Sequence, residues 1–232
     1  MAMQISGVTI QGGMNIQPAG GSPTPGGGGF QGSNFGYTSG GNPNTNTIDK
    51  FPFASDANAS DVGDLTQGRY APAGQSSSAS GYSSGGGTPQ TDIIDKFPFA
   101  SDGNATDVGN LSQGRFNAAG QSSTVSGYTS GGRIPPQVNI IDKFPFASDA
   151  NATDVGDLTV ARYGPDGQSS TASGYSSGGY ATPGSTDTID KFPFASDANA
   201  TDVGDLTVAR YASAGQSSTA SGYSSGGYAT PG

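Results

Sequence analysis

Residues 48–86, 94–132, 141–179 and 189–227 are four near-identical copies of one 39-residue unit, with no insertion or deletion among them. Each opens on Ile-Asp-Lys-Phe-Pro-Phe and closes on Gly-Tyr-Ser/Thr-Ser-Gly-Gly. All length variation falls between copies: six residues follow Gly41, seven follow Gly86, eight follow Gly132 and nine follow Gly179. Exposed loops tolerate insertions and packed elements do not, so the unit reads as the packed object and the stretch after Gly-Gly as a surface turn. A period of 46 to 48 residues belongs to solenoids and propellers.

Propensity makes the fold class all-β. The chain has no Glu, one Leu per copy, 40 Gly and 15 Pro, which leaves no window long enough for a stable helix. Ile, Val, Phe, Tyr and Thr recur between Gly/Pro/Asn/Asp clusters, the punctuation of short strands. Leu, Ile, Val and Phe together make up roughly 15% of the chain, a composition that borders on disorder. The fixed spacing and a net charge of only −9 favour an ordered body. The expected organisation is an arm and Gly/Pro-rich linker over 1–35, followed by a β-repeat domain over 36–232.

In the third copy, 141–146 reads as a strand with Phe144 and Phe146 on one face. Pro145 lacks an N–H, so this strand lies at an edge or ends there. Residues 148–157 read as a tight polar loop, 158–163 as a second strand, 164–167 as a turn and 168–174 as a third strand. Small residues on both faces of that third strand suit a crowded axis where units converge; a solvated serine-rich linker is the alternative. A fifth Gly-Tyr strand, 35–41, precedes the array and has no Ile-Asp-Lys-Phe partner of its own copy. A terminal strand is therefore left to close a ring or to pair with a neighbouring molecule.

Tyr82-Ser83-Ser84-Gly85-Gly86, then Ile94-Asp95-Lys96-Phe97, then Leu111-Ser112-Gln113-Gly114-Arg115 resemble in order the parts of a kelch-type β-propeller blade, and the length of about 47 residues agrees. The resemblance covers 36–232 and implies a kelch-like propeller or blade array of four repeats. Kelch blades carry a Trp and an apolar Gly-Gly strand; this chain has no Trp and a serine-rich strand. The Asp-Lys-Phe-Pro-Phe repeat is also similar to that of virion structural proteins from tailed phages of marine cyanobacteria, as is the opening Met1–Ile10. That second resemblance implies a non-enzymatic component of an extracellular particle, in its tail, fibre or capsid decoration. Met3, Ile5, Val8 and Ile10 would then attach the arm to other virion proteins as an added strand, with the chain oligomeric in the assembly.

One constellation could hold a ligand. Asp149, Asn151, Asp154 and Asp157 set oxygens at short offsets around Gly156, as calcium requires. Asp56, Asn58, Asp61 and Asp64 repeat the set, as do Asp197, Asn199, Asp202 and Asp205. Copy two keeps Asp102, Asn104 and Asp107 and replaces the last carboxylate by Asn110. Calcium is the one candidate cofactor, set against Asx side chains capping their own backbone. Arg69, Arg115, Arg162 and Arg210 recur once per copy, either ringing an anion channel or pairing with an Asp such as that of Ile-Asp-Lys. Tyr82, Tyr128, Tyr175 and Tyr223 are expected to lie between blades, with sugar stacking as the other use.

Catalysis has no nucleophile–base pair to draw on, because His, Cys and Glu are absent. Copper-radical oxidases on kelch-like propellers use His and Cys ligands that this chain lacks. The run 26–29 of four glycines lacks the Lys of a phosphate loop and reads as linker. Nine cations and a pI near 4.1 argue against nucleic acid as a partner, and no apolar run reaches membrane-spanning length. The competing function is a carbohydrate-binding or calcium-dependent adhesion module for a host-surface glycan, its specificity carried by the variable linkers.

Overall fold

The computed structural model describes residues 34–87 and 89–230, which form strands and no helix. The attachment positions Met3, Ile5, Val8 and Ile10 lie outside them, as does almost all of the 1–35 arm. A three-stranded sheet comes first: β1 (Phe35–Ser39), β2 (Thr45–Pro52) and β3 (Ser60–Arg69). Three four-stranded antiparallel sheets follow. The second sheet is β4 (Ala73–Ser76), β5 (Ser80–Ser84), β6 (Ile93–Pro98) and β7 (Thr106–Asn110). The third is β8 (Ala119–Ser122), β9 (Ser126–Ser130), β10 (Ile140–Pro145) and β11 (Thr153–Asp157). In the fourth, β12 (Asp166–Ser169) and β13 (Ser173–Ser177) are followed by a linker hairpin, β14 (Tyr180–Ala181) and β15 (Gly184–Ser185). The sheet then resumes with β16 (Thr188–Pro193) and β17 (Thr201–Asp205). The chain ends in a two-stranded hairpin, β18 (Ala214–Ser217) and β19 (Gly222–Ser225).

The sheets are out of phase with the sequence copies. Each complete sheet takes its first two strands from the end of one copy and its last two from the start of the next. Tyr82 thus faces Lys96 across β5–β6, and Tyr128 faces Lys143 across β9–β10. The variable linker is the hairpin loop inside a sheet rather than a turn between packed units, which is why its length can drift without disturbing the ladder.

Three local readings are corrected. Residues 148–157 are not all loop, because Thr153–Asp157 pairs with β10 as β11. The segment 158–163 is no strand; only Tyr163 forms an isolated bridge, to Tyr180. The stretch 168–174 is a hairpin, with Ser170 N donating to Ser173 O at 2.9 Å and the Ser170 hydroxyl accepting from Ala172 N and Ser173 N. The serines between strands bond the turn's own backbone, a local alternative to continuing a strand.

Sheets stack face to face, and apolar side chains gather at the junctions instead of in one shared interior. Ile94, Leu111 and Tyr82 of the second sheet bury Phe144 and Ala152 of the third. Ile141, Leu158 and Tyr128 of the third do the same for Phe192 and Ala200 of the fourth. Ile48 and Leu65 of the first receive Phe97 and Ala105 of the second, with Tyr37 against them. Each buried ring contributes about 1.5–3 kcal/mol, with ring centroids 5.5 Å apart in Tyr82–Phe144 and 4.9 Å apart in Tyr82–Phe146. The glycine before Tyr37, Tyr82, Tyr128 and Tyr175 is required, since a Cβ there would lie 2.3 Å from the ring of Phe51, Phe97, Phe144 or Phe192.

The inner strands meet backbone to backbone. A Cβ at Gly120 would sit 2.1 Å from Gly74 O, and one at Gly167 the same distance from Gly120 O. Ser76 N donates to Ser122 Oγ, Ser122 N to Ser169 Oγ and Ser169 N to Ser217 Oγ, at 2.9–3.0 Å. A serine-rich strand therefore stands where a packed core would hold Val or Leu, because the neighbouring backbone occupies that space. Gly120→Ala should lower stability by about 1–3 kcal/mol through overpacking in urea titration. Gly74→Ala, with nothing within 4 Å of its Cβ, should stay within about 0.5 kcal/mol of the parent.

Candidate functional site

The side chains that repeat most faithfully converge on the junctions between sheets. Arg115 follows β7 of the second sheet and reaches Asp142 on β10 of the third, Nη1 to Oδ2 at 2.8 Å, with both side chains fully buried. Its Nε donates to Gly131 O and its Nη2 to Thr129 O, each at 2.9 Å. Arg162 pairs with Asp190 at 2.9 Å and Arg69 with Asp95. Each aspartate also accepts from the segment that carries the arginine. Thr159 donates N–H and hydroxyl to Asp190 at 2.9 and 2.7 Å, Thr66 does so to Asp95, and Ser112 N donates to Asp142. Burial pulls the Arg69 and Arg162 guanidiniums below the ordinary arginine value, and the paired aspartates oppose the shift. Arg210 has no such partner: it donates to Val208 O at 3.3 Å and Gly226 O at 3.4 Å.

The acidic loops are docking elements. Asp149 takes Lys96 Nζ from the preceding sheet at 2.9 Å, Asp102 takes Lys50 at 2.7 Å and Asp197 takes Lys143 at 2.8 Å. Asn104, Asn151 and Asn199 accept from the backbone N–H of Asp64, Asn110 and Asp157 across the same junctions. Asp61, Asp107, Asp154 and Asp202 cap their own Gly N–H two residues on. Three of the four oxygen donors considered for calcium thus turn to three different tasks. Among the described residues no three acidic side chains converge as a cation site.

Tyr82 and Tyr128 lie buried between sheets, and Tyr175 and Tyr223 stand at the C-terminal end, where Tyr223 is 56% exposed. Gln75 and Gln121, not singled out from sequence, are buried on the inner strands. Gln75 Nε2 donates to Tyr128 O and Thr129 Oγ1 of the next sheet at 2.9 Å, and Gln121 Nε2 donates to Tyr175 O. Their signal was the invariant Ala/Asp-Gly-Gln-Ser of every copy. A second group also went unread. Tyr163, Tyr180 and Tyr211 make mutual ring contacts at 5.2–5.9 Å, Tyr211 continues to Tyr228 at 5.7 Å, and Arg133 lies 5.2 Å over Tyr163. The dipeptides Arg-Tyr and Gly-Gly-Tyr carried that pattern.

No protein-family model matches the chain, and no curated protein does.

Removing one partner of a fully buried pair strands the other charge. Arg115→Ala should therefore cost about 3–5 kcal/mol in chemical denaturation, whereas Arg210→Ala in dilute protein should cost about 0.5 kcal/mol or less. Alkaline pH supplies a second check. Hydrogen bonds to Asp149 and Asp197 hold Lys96 and Lys143 above the ordinary lysine value, and burial pushes Tyr82 and Tyr128 up. A raised folded value stabilises the protonated form, so the contribution is complete below the unfolded values of about 10 for Tyr and 10.4 for Lys. It is lost as pH climbs through the folded values. Thermal scans should show a constant Tm at neutral pH and a falling Tm above about pH 10.

Proposed function

We propose that the chain is a non-enzymatic structural protein of a phage particle, a displayed array of kelch-like propeller blades joined to the virion through residues 1–35. One observation carries the structural reading: the repeated Arg, Asp, Asn, Lys, Gln and Tyr side chains are consumed in joining one sheet to the next. Side chains that repeat for a reaction would converge on open space, and these converge on a neighbouring sheet. The virion assignment adds the Asp-Lys-Phe-Pro-Phe resemblance. Repeats that contact only their neighbours build an extended, regular body, which suits a displayed particle component. Deleting residues 1–33, which precede β1, should leave strand content by circular dichroism unchanged and abolish recovery of the protein in purified particles. Full incorporation of the shortened chain would refute the arm's role.

A second reading, a carbohydrate-binding module for a host-surface glycan, is favoured by one observation. Tyr163, Tyr180, Tyr211 and Tyr228 gather rings and hydroxyls on the linker side, and Tyr228 is 67% exposed. Such rings stack on the apolar faces of sugars. A glycan array probed with the parent and with Tyr228→Ala separates the readings: binding lost in the variant supports recognition, and no binding by the parent leaves the structural role alone.

A further inference from the structure

The two ends of the array are unsatisfied in complementary ways. At the C-terminal end of the described residues, the fourth sheet carries the groups that the earlier sheets use to receive a neighbour, and the two-stranded hairpin β18–β19 leaves them uncovered. A cavity of about 270 Å³ lies open between β19 and Tyr175, Ile189 and Leu206, the positions that enclose Phe144 and Phe192 at complete junctions. Lys191 reaches no aspartate, Arg210 reaches no aspartate, and a Cβ at Gly204 would meet nothing. The equivalent Gly156 abuts Ala198 O.

At the N-terminal end the missing partners are on display. Asp49 and Asp56 meet no cation among the salt bridges of the described residues, while their counterparts Asp95 and Asp102 are both paired. Among the described residues no inner strand precedes β1, and a Cβ at Gly74 would meet nothing within 4 Å. Among the described residues no glutamine reaches Tyr82 O or Ser83 Oγ in the way Gln75 reaches Tyr128 O and Thr129 Oγ1. The terminal hairpin holds the missing sequence: β18 is Ala214-Gly215-Gln216-Ser217. In the sequence the position matching Gln75, counted back from the Gly-Tyr pair, is Phe30 and not a glutamine.

We propose that copies of this chain join head to tail, the β18–β19 hairpin of one copy pairing with β2–β3 of the next to complete its first sheet. In that composite sheet β19 takes the place of β1. The exchange is close to isosteric, since Gly222-Tyr223-Ser224-Ser225 offers β2 what Gly36-Tyr37-Thr38-Ser39 offers now. The gain is a complete junction on each side of the composite sheet. Phe51 enters the cavity beside Tyr175, and Asp49 meets Arg210. Asp56 meets Lys191, and Asn58 accepts from Asp205 N. On the far side Gly215 stacks on Gly74, and Gln216 reaches Tyr82 O and Ser83 Oγ. The contact is heterologous, with an acidic N-terminal face on a basic C-terminal one, so each joined pair still presents one end of each kind and extends.

The occupant is a second copy because the chain's own hairpin does not do this. It stays on β12 through Ser169 N to Ser217 Oγ, and β18 pairs with β19 alone. Its residues border the cavity of about 690 Å³ beside β1 without hydrogen-bonding to that strand.

A carbodiimide converts touching Lys–Asp pairs into amide bonds, and three internal pairs stand at 2.7–2.9 Å as controls. Equal amounts of unlabelled and ¹⁵N-labelled full-length chain are mixed, crosslinked and digested. Linked peptides joining Lys191 to Asp56 should appear, about half of them carrying one labelled and one unlabelled arm, the statistical share for links between copies. The internal links should show no mixing. Gly74→Ala and Asp49→Asn should fold as the parent does and lower the yield of the Lys191–Asp56 link more than tenfold. A Lys191–Asp56 link that never mixes isotopes would mean that the chain closes on itself, and absence of the link beside intact internal links would mean that the ends stay apart. Either result overturns the proposal.

Discussion

The buried arginine–aspartate pair between successive sheets is the contact on which the rest of the array depends. Arg115 and Asp142 lie in different sheets and are both fully buried. A pair of this kind depends on further hydrogen bonds to its remaining donors and acceptors; here the surrounding groups meet all three Arg115 side-chain nitrogens and Asp142 Oδ2, leaving Asp142 Oδ1 unmet. The pair therefore fixes how one sheet sits on the next to within hydrogen-bond tolerance. That registration brings Phe144 onto Tyr82, Lys96 onto Asp149 and Gly120 onto Gly74. The apolar contacts supply much of the free energy, and the polar pair decides the geometry in which they are made.

Such an arrangement explains a composition that borders on that of a disordered chain. With Leu, Ile, Val and Phe so scarce, no sheet has enough apolar surface to cover both faces, and each lends its phenylalanines to the sheet before it. Close stacking of glycine and serine strands replaces bulky side chains on the inner side, where dispersion contacts come from backbone atoms. Stability in this kind of chain is a sum over neighbours.

The all-β class, the strand ending at Pro145 and the shared face of Phe144 and Phe146 were legible because propensity and period-two spacing are local properties. The phase of the sheets was not. Nothing local marks that β5 pairs with β6 across the variable linker instead of staying with the rest of its own copy. The stretch 168–174 looked like one strand because serine suits a strand face and a turn equally well. Residues 158–163 looked like a strand because Leu-Thr-Val-Ala-Arg-Tyr has the right propensities; the equivalent segment of the first sheet does continue β3 to Arg69, whereas here only Tyr163 keeps a bridge, to Tyr180. Arg and Asp could be paired on paper as scaffold or read as a channel lining, and only the stacking places them. The acidic loop looked like a cation site because spacing along the chain says nothing about divergence: Asp149 turns to Lys96 and Asn151 to the Asn110 N–H.

If sheets are held by their neighbours, a single sheet has no stable fold of its own. The polypeptide 73–110, one complete four-stranded sheet with its linker, should give a random-coil circular dichroism spectrum and no cooperative thermal transition, while 73–205, with its three stacked sheets, should give both a β spectrum and a cooperative melt. A cooperative unfolding transition in 73–110 alone would show that the junctions decorate an already stable sheet.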